Sequence, residues 1–314
     1  MKPPRFRAGA AALIVVAAAA AHELASARQA PAPANAVSPL SIAITPPVGL
    51  LAGRGFEPGL PPQDGLRELN WEVVWADEFE RPGPPDPAKW SHETGGSGWG
   101  NRELQFYTGN RAENARVENG RLIIEARREQ WQDKSYTSAR LNSRQAWKYA
   151  RVEARARLPR GRGTWPAVWM LPSAGTYGKG GWPDNGEIDI IEHVGFDPGV
   201  IHGTVHTRAY NHVARTQRGA QTIVADAQDA FHVYAIEWTP AAITAFVDGT
   251  RYFTFENERL TSAQADWRQW PFDTDFKLLV NLAVGGNWGG QKGVDESIWP
   301  QRLELDYIRV LQRR

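Results

Sequence analysis

The chain contains no cysteine among its 314 residues. Disulfides therefore cannot stabilise it, and any folded domain must be held by its own core. An excess of one charge is also absent, because 36 Lys and Arg nearly balance 35 Asp and Glu, for a formal net charge of +1. Nucleic acids and strongly charged polymers usually need a large field of one sign, so we expect neither as a partner.

Long apolar segments are scarce, and the one at the N-terminus is typical of a secretory signal. Three basic residues precede an apolar run over residues 8–21, and the small residues 25–27 follow it. The run is shorter than the roughly 20 residues that a membrane span needs. We predict a signal peptide over residues 1–27 and export to the periplasm or the medium, with no stable membrane span after cleavage. An uncleaved anchor is the alternative.

Residues 28–69 are rich in Ala, Pro and Gly and contain few aromatic residues. Such a composition cannot bury enough surface to fold, so it predicts a disordered linker. Residues 70–314 then remain, an ordinary length for a single all-β domain.

Period-two alternation dominates residues 70–314, and no long stretch has the 3.6-residue period of an amphipathic helix. In residues 149–158, apolar side chains alternate with Arg and Glu, which predicts one buried and one wet face. Asp248-Gly249 between two such runs predicts a type I′ hairpin. Many short strands without alternating helices indicate an all-β fold of two antiparallel sheets packed face to face. The strands are predicted at residues 71–79, 121–127, 149–158, 200–206, 231–238, 242–247, 251–255 and 277–284.

Three carboxylates interrupt the apolar run over residues 186–193. Glu187 and Asp189 are two positions apart and share one face of an extended strand. Glu192 joins them only if Ile190 or Ile191 is absorbed in a β-bulge. Such a cluster suits glycosidic bond cleavage, in which one acid protonates the leaving oxygen and another stabilises or attacks the sugar carbon. From spacing alone, a metal site or a chance acidic patch remains open.

Several further blocks extend the pattern of residues 186–193. They are residues 101–108, 163–171, 182–185, 201–207, 231–238, 281–288 and 306–310. With these blocks the chain resembles glycoside hydrolase family 16, from about residue 71 to the C-terminus and in the family's order. The resemblance implies a jelly-roll β-sandwich with a concave substrate cleft, and a laminarinase-like catalytic domain over residues 70–314.

The resemblance implies a retaining endo-β-1,3-glucanase acting on β-glucan, with Glu187 as nucleophile, Glu192 as general acid/base and Asp189 as their partner. The E-x-D-x-x-E motif is one residue longer than the E-x-D-x-E of lichenases, which favours the laminarinase type. The alternatives are another β-glucan or galactan hydrolase, a transglycosylase, or a β-glucan-binding module without activity. Loss of either Glu187 or Glu192 would mark the binding module, and both are present.

Fourteen tryptophans exceed what a sandwich core ordinarily takes, and aromatic planes pack against the apolar faces of sugars. We predict that Trp71, Trp75, Trp90 and Trp238 serve packing. The predicted substrate-binding residues, partly implied by the resemblance, are Asn101, Arg140, Trp165, Trp169, Trp182, His206 and Trp288. Weaker candidates are His193, His202, Asn281 and Asn287.

The resemblance implies no cofactor for catalysis, but family 16 members often carry a structural calcium ion on the side away from the cleft. Its ligands here would be Glu80, the Gly120 carbonyl and Asp306, completed by water. We expect the mature protein to be a monomer.

Overall fold

The computed structural model describes residues 70–314, so the predicted signal peptide (1–27) and linker (28–69) lie outside the described residues. This part of the chain forms seventeen β-strands and one helical turn, a 3-10 helix at Glu258–Leu260. It contains no helix that is long and apolar enough to cross a membrane.

The strands are short, as the turn residues between the alternating runs predict. In chain order they are β1 (Trp71–Asp77), β2 (Trp90–Glu93), β3 (Gln105–Tyr107), β4 (Ala115–Glu118), β5 (Arg121–Trp131), β6 (Lys134–Ser138), β7 (Arg140–Trp147), β8 (Arg151–Arg157), β9 (Thr164–Pro172), β10 (Glu187–Glu192), β11 (Val200–His206), β12 (Arg218–Ile223), β13 (His232–Trp238), β14 (Ala242–Val247), β15 (Thr250–Glu256), β16 (Phe276–Val284) and β17 (Gln301–Arg313).

These strands form two sheets. The ten-stranded sheet has the order β15-β14-β13-β8-β17-β5-β6-β3, with β1 beside β17 and β4 beside β5. The seven-stranded sheet has the order β12-β11-β10-β9-β16-β7-β2. Strand pairs are antiparallel except β3 and β6. One cluster of buried residues takes members from both sheets, including Val152 and Ile236 from the first and Val168 and Ile188 from the second. The predicted all-β, two-sheet sandwich is therefore confirmed.

The predicted hairpin between β14 and β15 is confirmed. Val247 pairs with Thr250 across a two-residue turn, where Asp248 and Gly249 have φ angles of 48° and 77°. A type I′ turn requires positive φ at both central positions. Other bounds differ slightly from the prediction. Strand β1 ends at Asp77, because the φ of Phe79 is 50° and takes the chain out of the extended conformation. Strand β5 continues beyond residue 127, because it pairs with β6 as well as with β17.

The expected wet face of β8 is wrong in part. Arg151 and Glu153 are only 8% and 6% exposed, although the sequence pattern places them in solvent. The Arg151 guanidinium donates to Glu153 at 2.7 Å and to Glu237 on neighbouring β13 at 2.8 Å. A charged side chain that has an ion-pair partner can be buried at a far lower free-energy cost than an isolated one. A period-two pattern identifies the polar face of a strand, but it cannot show that ion pairs on this face bury its charged side chains.

The four tryptophans predicted to serve packing do so. Trp71, Trp90 and Trp238 are buried, and the half-buried Trp75 packs edge-on against Trp90 with ring centroids 5.5 Å apart. The Trp90 indole also donates to Asp77 at 2.7 Å, which satisfies its one polar atom inside the core.

Tyr252 of β15 reaches beneath β11 of the other sheet. A Cβ atom at Gly203 would lie 2.4 Å from the Tyr252 hydroxyl oxygen, so only glycine leaves room for this ring. The hydroxyl is buried and has no hydrogen-bond partner among residues 70–314. A buried polar atom without a partner lowers the free energy of unfolding.

We therefore expect Tyr252→Phe to raise the free energy of unfolding by about 1 kcal/mol, measured by urea denaturation. The matched control is Tyr107→Phe. The Tyr107 hydroxyl donates to Glu103 and accepts from Asn281, both at 3.0 Å, so its loss should destabilise the protein by about 1–3 kcal/mol. Equal destabilisation by both substitutions would contradict this interpretation.

Candidate functional site

The three acids of β10 come together through a β-bulge. On β11, Asp189 pairs with Thr204 and Glu192 with His202, so three steps along β10 match two steps along β11. The pairing with β9 shifts at the same place, between Asp189 and Ile191. The bulge that the spacing predicts is confirmed.

The buried side of β10 explains why the strand tolerates the extra residue. Ile188, Ile190 and Ile191 are each at most 1% exposed and belong to the core cluster. Two consecutive isoleucines can both enter the core only where the alternation is interrupted. The interruption returns Glu192 to the face that carries Glu187, which we call the site face.

Each glutamate of the site face accepts a hydrogen bond from an indole. Trp182 Nε1 donates to Glu187 Oε2 at 3.0 Å, and Trp165 Nε1 donates to Glu192 Oε1 at 3.1 Å. His206 on β11 pairs with Glu187 on β10. Its Nε2 lies 3.4 Å from Asp189 Oδ2 and 3.6 Å from Glu187 Oε1. Among the acids, His206 therefore lies nearest to Asp189, with Glu187 as its second neighbour.

These environments favour protonated carboxyls. Burial, followed by the charge of Asp189, raises the pKa of Glu187 well above its usual value. Burial raises the pKa of Asp189 to about 8, and a hydrogen bond with Glu187 partly opposes this rise. Burial and the charge of Asp189 raise the pKa of Glu192 to about 8, against an opposing effect of His206. Because the three groups interact, they titrate as a set, and at least one is neutral near pH 7.

Aromatic rings flank the acids on both sides. Beyond Glu192, the Trp165 ring meets Trp288 edge-on with centroids 5.6 Å apart, and Trp288 meets His202 at 4.8 Å. Beyond Glu187, the Trp182 ring lies 4.9 Å from that of His212, and Trp182 is 42% exposed. Partly exposed rings beside an acid cluster provide the flat apolar surfaces against which a sugar packs.

Arg140 lies farther along the same sheet, at the start of β7. Its guanidinium lies between the rings of Trp99 and Trp169, 4.7 and 4.8 Å from their centroids, and pairs with Glu93 on β2. Trp169 itself pairs with Asp189 across β9, and its Nε1 donates to Asn281 at 2.8 Å. Trp99 is a member of this group that the sequence reasoning missed, because it precedes the recognised block.

A buried hydrogen-bond network supports this flank. Glu103 Oε2 accepts from Gln105 Nε2 at 2.6 Å and from the Tyr107 hydroxyl at 3.0 Å, and Asn281 donates to the same hydroxyl. Burial raises the pKa of Glu103. Asn101 Nδ2 donates to the other carboxylate oxygen, Glu103 Oε1, at 3.4 Å. Glu103, Gln105 and Tyr107 were not among the predicted site residues, although their spacing of two in the block 101–108 places them on one strand face.

Two weaker candidates lie elsewhere. His193 is fully buried, and its Nδ1 lies 2.9 Å from the Val200 carbonyl oxygen, so it serves the core next to β10. Asn287 is exposed, and its backbone N–H donates to the Asn101 carbonyl oxygen at 2.7 Å. That bond fastens the loop of Asn101 to the loop of Trp288.

The residues predicted to bind calcium lie near one segment of β17. Gly120 directly precedes β5, whose pairing with β17 ends beside Asp306. Glu80 follows β1, which pairs with β17 along the same edge as β5, on the other side of Asp306 in the sequence. Asp306 Oδ2 accepts from Arg155 at 2.5 Å, which leaves Oδ1 and the backbone carbonyls as donors. Oxygen donors of this kind fit a calcium ion, and calcium binding stays a prediction.

Comparison with known proteins decides the family. The model of "Glycosyl hydrolases family 16" matches residues 102–309. The chain belongs to glycoside hydrolase family 16. It is 61% identical over 243 residues to a beta-glucanase of Rhodothermus marinus, covering 77% of this chain and 85% of that protein. It is 38% identical over 250 residues to a glucan endo-1,3-beta-glucosidase of Cryptopygus antarcticus, covering 76% of this chain and 91% of the relative.

The fold agrees with solved structures of family 16. The X-ray structure of the laminarinase from Rhodothermus marinus superimposes with a TM-score of 0.77 at 62% identity, covering 77% of this chain and 97% of that one. The predicted jelly-roll fold and the predicted glycoside hydrolase are thereby confirmed.

The elevated pKa of Glu192 predicts how stability depends on pH. An acid whose pKa rises on folding, here from 4.5 to about 8, binds more protons in the folded state. The free energy of unfolding should therefore fall as pH rises through this interval, by up to about 1.4 kcal/mol per pH unit for one such group. Glu192→Gln should flatten the decline and raise the melting temperature at pH 8, while changing little at pH 4.5.

Differential scanning calorimetry without substrate, from pH 4.5 to pH 8.5, measures this dependence. The control is Glu256→Gln on β15, since Glu256 is exposed. Parallel curves for the wild type and Glu192→Gln would contradict the prediction.

Proposed function

We propose that this family 16 enzyme is an endo-acting, retaining β-glucanase that hydrolyses internal β-1,3 bonds of laminarin-type glucans. The observation that carries the proposal is the bulged strand β10, which places Glu187, Asp189 and Glu192 on one face. Support for the substrate comes from relatives named beta-glucanase, glucan endo-1,3-beta-glucosidase and laminarinase.

In the proposed mechanism, Glu192 protonates the departing glycosidic oxygen. Its pKa of about 8 keeps it protonated at neutral pH, as a general acid requires. The Trp165 indole holds the Glu192 carboxyl in place by a hydrogen bond. Because the indole is neutral, it supplies no positive charge that would favour loss of the carboxyl proton. After the first product leaves, the Glu192 carboxylate accepts a proton from water and so activates it for the second displacement.

Glu187 attacks the anomeric carbon as a carboxylate and forms the glycosyl-enzyme. Burial beside Asp189 disfavours its charge, and the positive charge that develops on the sugar relieves that cost in the transition state. Asp189 retains a proton that it shares by hydrogen bonding with Glu187. His206, 3.4 Å from Asp189, holds this pair in place from β11.

The aromatic residues and Arg140 bind the glucan. Trp165 and Trp288 lie on the Glu192 side and Trp182 on the Glu187 side. Trp169 and Arg140, with Asn101, extend the surface across β9, β16 and β7 toward β2. A polymer chain crossing these strands would contact rings on both sides of the acids, as internal cleavage requires.

We further propose that the enzyme is exported, acts as a monomer on extracellular or periplasmic glucan, and uses no cofactor in catalysis. Export rests on the order of basic, apolar and small residues over residues 1–27. Structural calcium would be held by Glu80, the Gly120 carbonyl and Asp306, and would connect the end of β1 and the start of β5 to the middle of β17.

The acid roles predict different failures for two alanine variants. Glu187→Ala leaves space for a small anion, so azide should restore turnover and give a glycosyl azide of inverted configuration. Glu192→Ala should retain more activity on substrates whose leaving groups need no proton. Each variant should lose on the order of 10²-fold or more on laminarin. Product analysis by NMR should also show release of the β anomer first by the wild type, and initial α anomer would refute double displacement.

The substrate assignment predicts that laminarin is degraded early to oligosaccharides of mixed length. Chromatography of the first products, with lichenan, agarose and a soluble galactan in parallel, measures it. An initial release of glucose alone would refute internal cleavage. Activity on agarose but not laminarin would assign the enzyme to galactans.

Calcium binding predicts that thorough chelation lowers the melting temperature, because an ion bound only to the folded state stabilises it by mass action. Activity of the chelated enzyme should persist at temperatures where it remains folded, since Glu80, Gly120 and Asp306 do not belong to the site face. Asp306→Asn should remove the effect of chelation. An identical melting curve with and without calcium would rule the site out.

A further inference from the structure

The Glu187, Asp189 and His206 side chains form a compact group of ligand atoms, which we call the triad. His206 Nε2 lies 3.4 Å from Asp189 Oδ2 and 3.6 Å from Glu187 Oε1. One ligand atom from each residue lies within 4.8 Å of the other two. No other group of three His, Asp or Glu residues within residues 70–314 meets this criterion.

The two distances from His206 Nε2 fit a tetrahedral zinc ion. Zinc bonds to imidazole nitrogen and carboxylate oxygen measure roughly 2.0–2.2 Å, so neighbouring ligand atoms in a tetrahedron lie about 3.3–3.6 Å apart. Both distances from His206 Nε2 fall in this interval. Zinc sites built from three His and carboxylate ligands keep a fourth position for water.

A second observation points to a cation. Asp189 is 3% exposed, and its Oδ2, the atom nearest His206, has no hydrogen-bond partner among the described residues. Within residues 70–314, no Lys or Arg forms an ion pair with Glu187 or Asp189. Two buried carboxylates without a cation gain more from a divalent ion than exposed acids do, because little solvent screens them.

We propose that Glu187, Asp189 and His206 form a zinc-binding site, and that zinc bound there inhibits the enzyme by occupying the nucleophile. Zinc would bind one atom of each residue, release its other hydration waters to solvent and retain one water in the fourth position. Any protons on the carboxyls pass to solvent, and no covalent bond of the protein changes. The inhibitory part rests on the proposed function, whereas the binding part does not.

Other cations and other histidines fit less well. Calcium takes six to eight oxygen ligands, and the triad offers an imidazole nitrogen as one of its three ligand atoms. His232 also contacts two carboxylates, but through different ring nitrogens, with Nε2 3.1 Å from Asp226 and Nδ1 2.7 Å from Asp248. The two nitrogens point apart, so this group cannot chelate one ion.

Calorimetric titration of zinc chloride into chelator-treated protein tests the binding. We expect one ion per chain at the triad, with affinity at least about 10-fold weaker in His206→Ala, since even residues behind a ligand contribute that much. Glu187→Gln, which keeps the side-chain shape, should weaken binding similarly. His232→Ala is the matched control and should bind as the wild type does. Melting curves of each variant verify that it is folded.

Unchanged zinc affinity in both folded triad variants would overturn the proposal, as would loss of binding in His232→Ala alone. Kinetics on laminarin then separate the two claims. Zinc should raise KM with little effect on kcat, an equal concentration of calcium should not, and a laminarin oligosaccharide should weaken zinc binding in calorimetry. If the zinc-free enzyme does not hydrolyse laminarin, the proposed function is refuted and the binding result still stands.

Discussion

The extra residue in β10 is the constraint on which the site depends. In a regular strand, Glu192 would point to the face opposite Glu187 and enter the core beneath the sheet. The bulge instead sends Ile190 and Ile191 into that core, where both are at most 1% exposed. Since β9 and β11 pair with β10 on either side and shift register at the same place, the bulge is fixed by two neighbours. The hydrophobic burial of the isoleucines thus holds the three acids on the site face.

Buried acids of the ten-stranded sheet and acids of the site face accept hydrogen bonds from different kinds of donor. On the ten-stranded sheet, buried Glu125 pairs with Arg116 at 3.0 Å and Arg302 at 2.8 Å. Glu187 and Glu192 receive neutral indole donors instead. A guanidinium stabilises a carboxylate, whereas an indole N–H orients the group with far less effect on its charge. The choice of donor therefore separates carboxyls that serve stability from carboxyls that can hold a proton for chemistry.

A cation beside the aromatic surface, Arg140, is restrained by its neighbours. Arg140 packs between Trp99 and Trp169 and pairs with Glu93, so its position depends on β2, β7 and β9 together. Trp169 continues this contact to Asn281, whose amide joins the Glu103 and Tyr107 network. A glucan contacting this flank would meet side chains already ordered by buried hydrogen bonds, which lowers the entropic cost of binding.

The sequence by itself determined the strands with clear alternation, the two-sheet class and the three acids, because period-two alternation, turn residues and motif spacing are local properties. It also required a bulge, since no regular strand places Glu187, Asp189 and Glu192 on one face. Tertiary structure alone decided what lies against each acid. The indoles of Trp165 and Trp182 come from segments 27 and 5 residues away, and neither spacing reveals a hydrogen bond. The burial of Arg151 and Glu153 likewise depends on a partner 86 residues distant. Proton affinity follows from such contacts, so the chemistry of the site is a property of the packed sheets rather than of the motif.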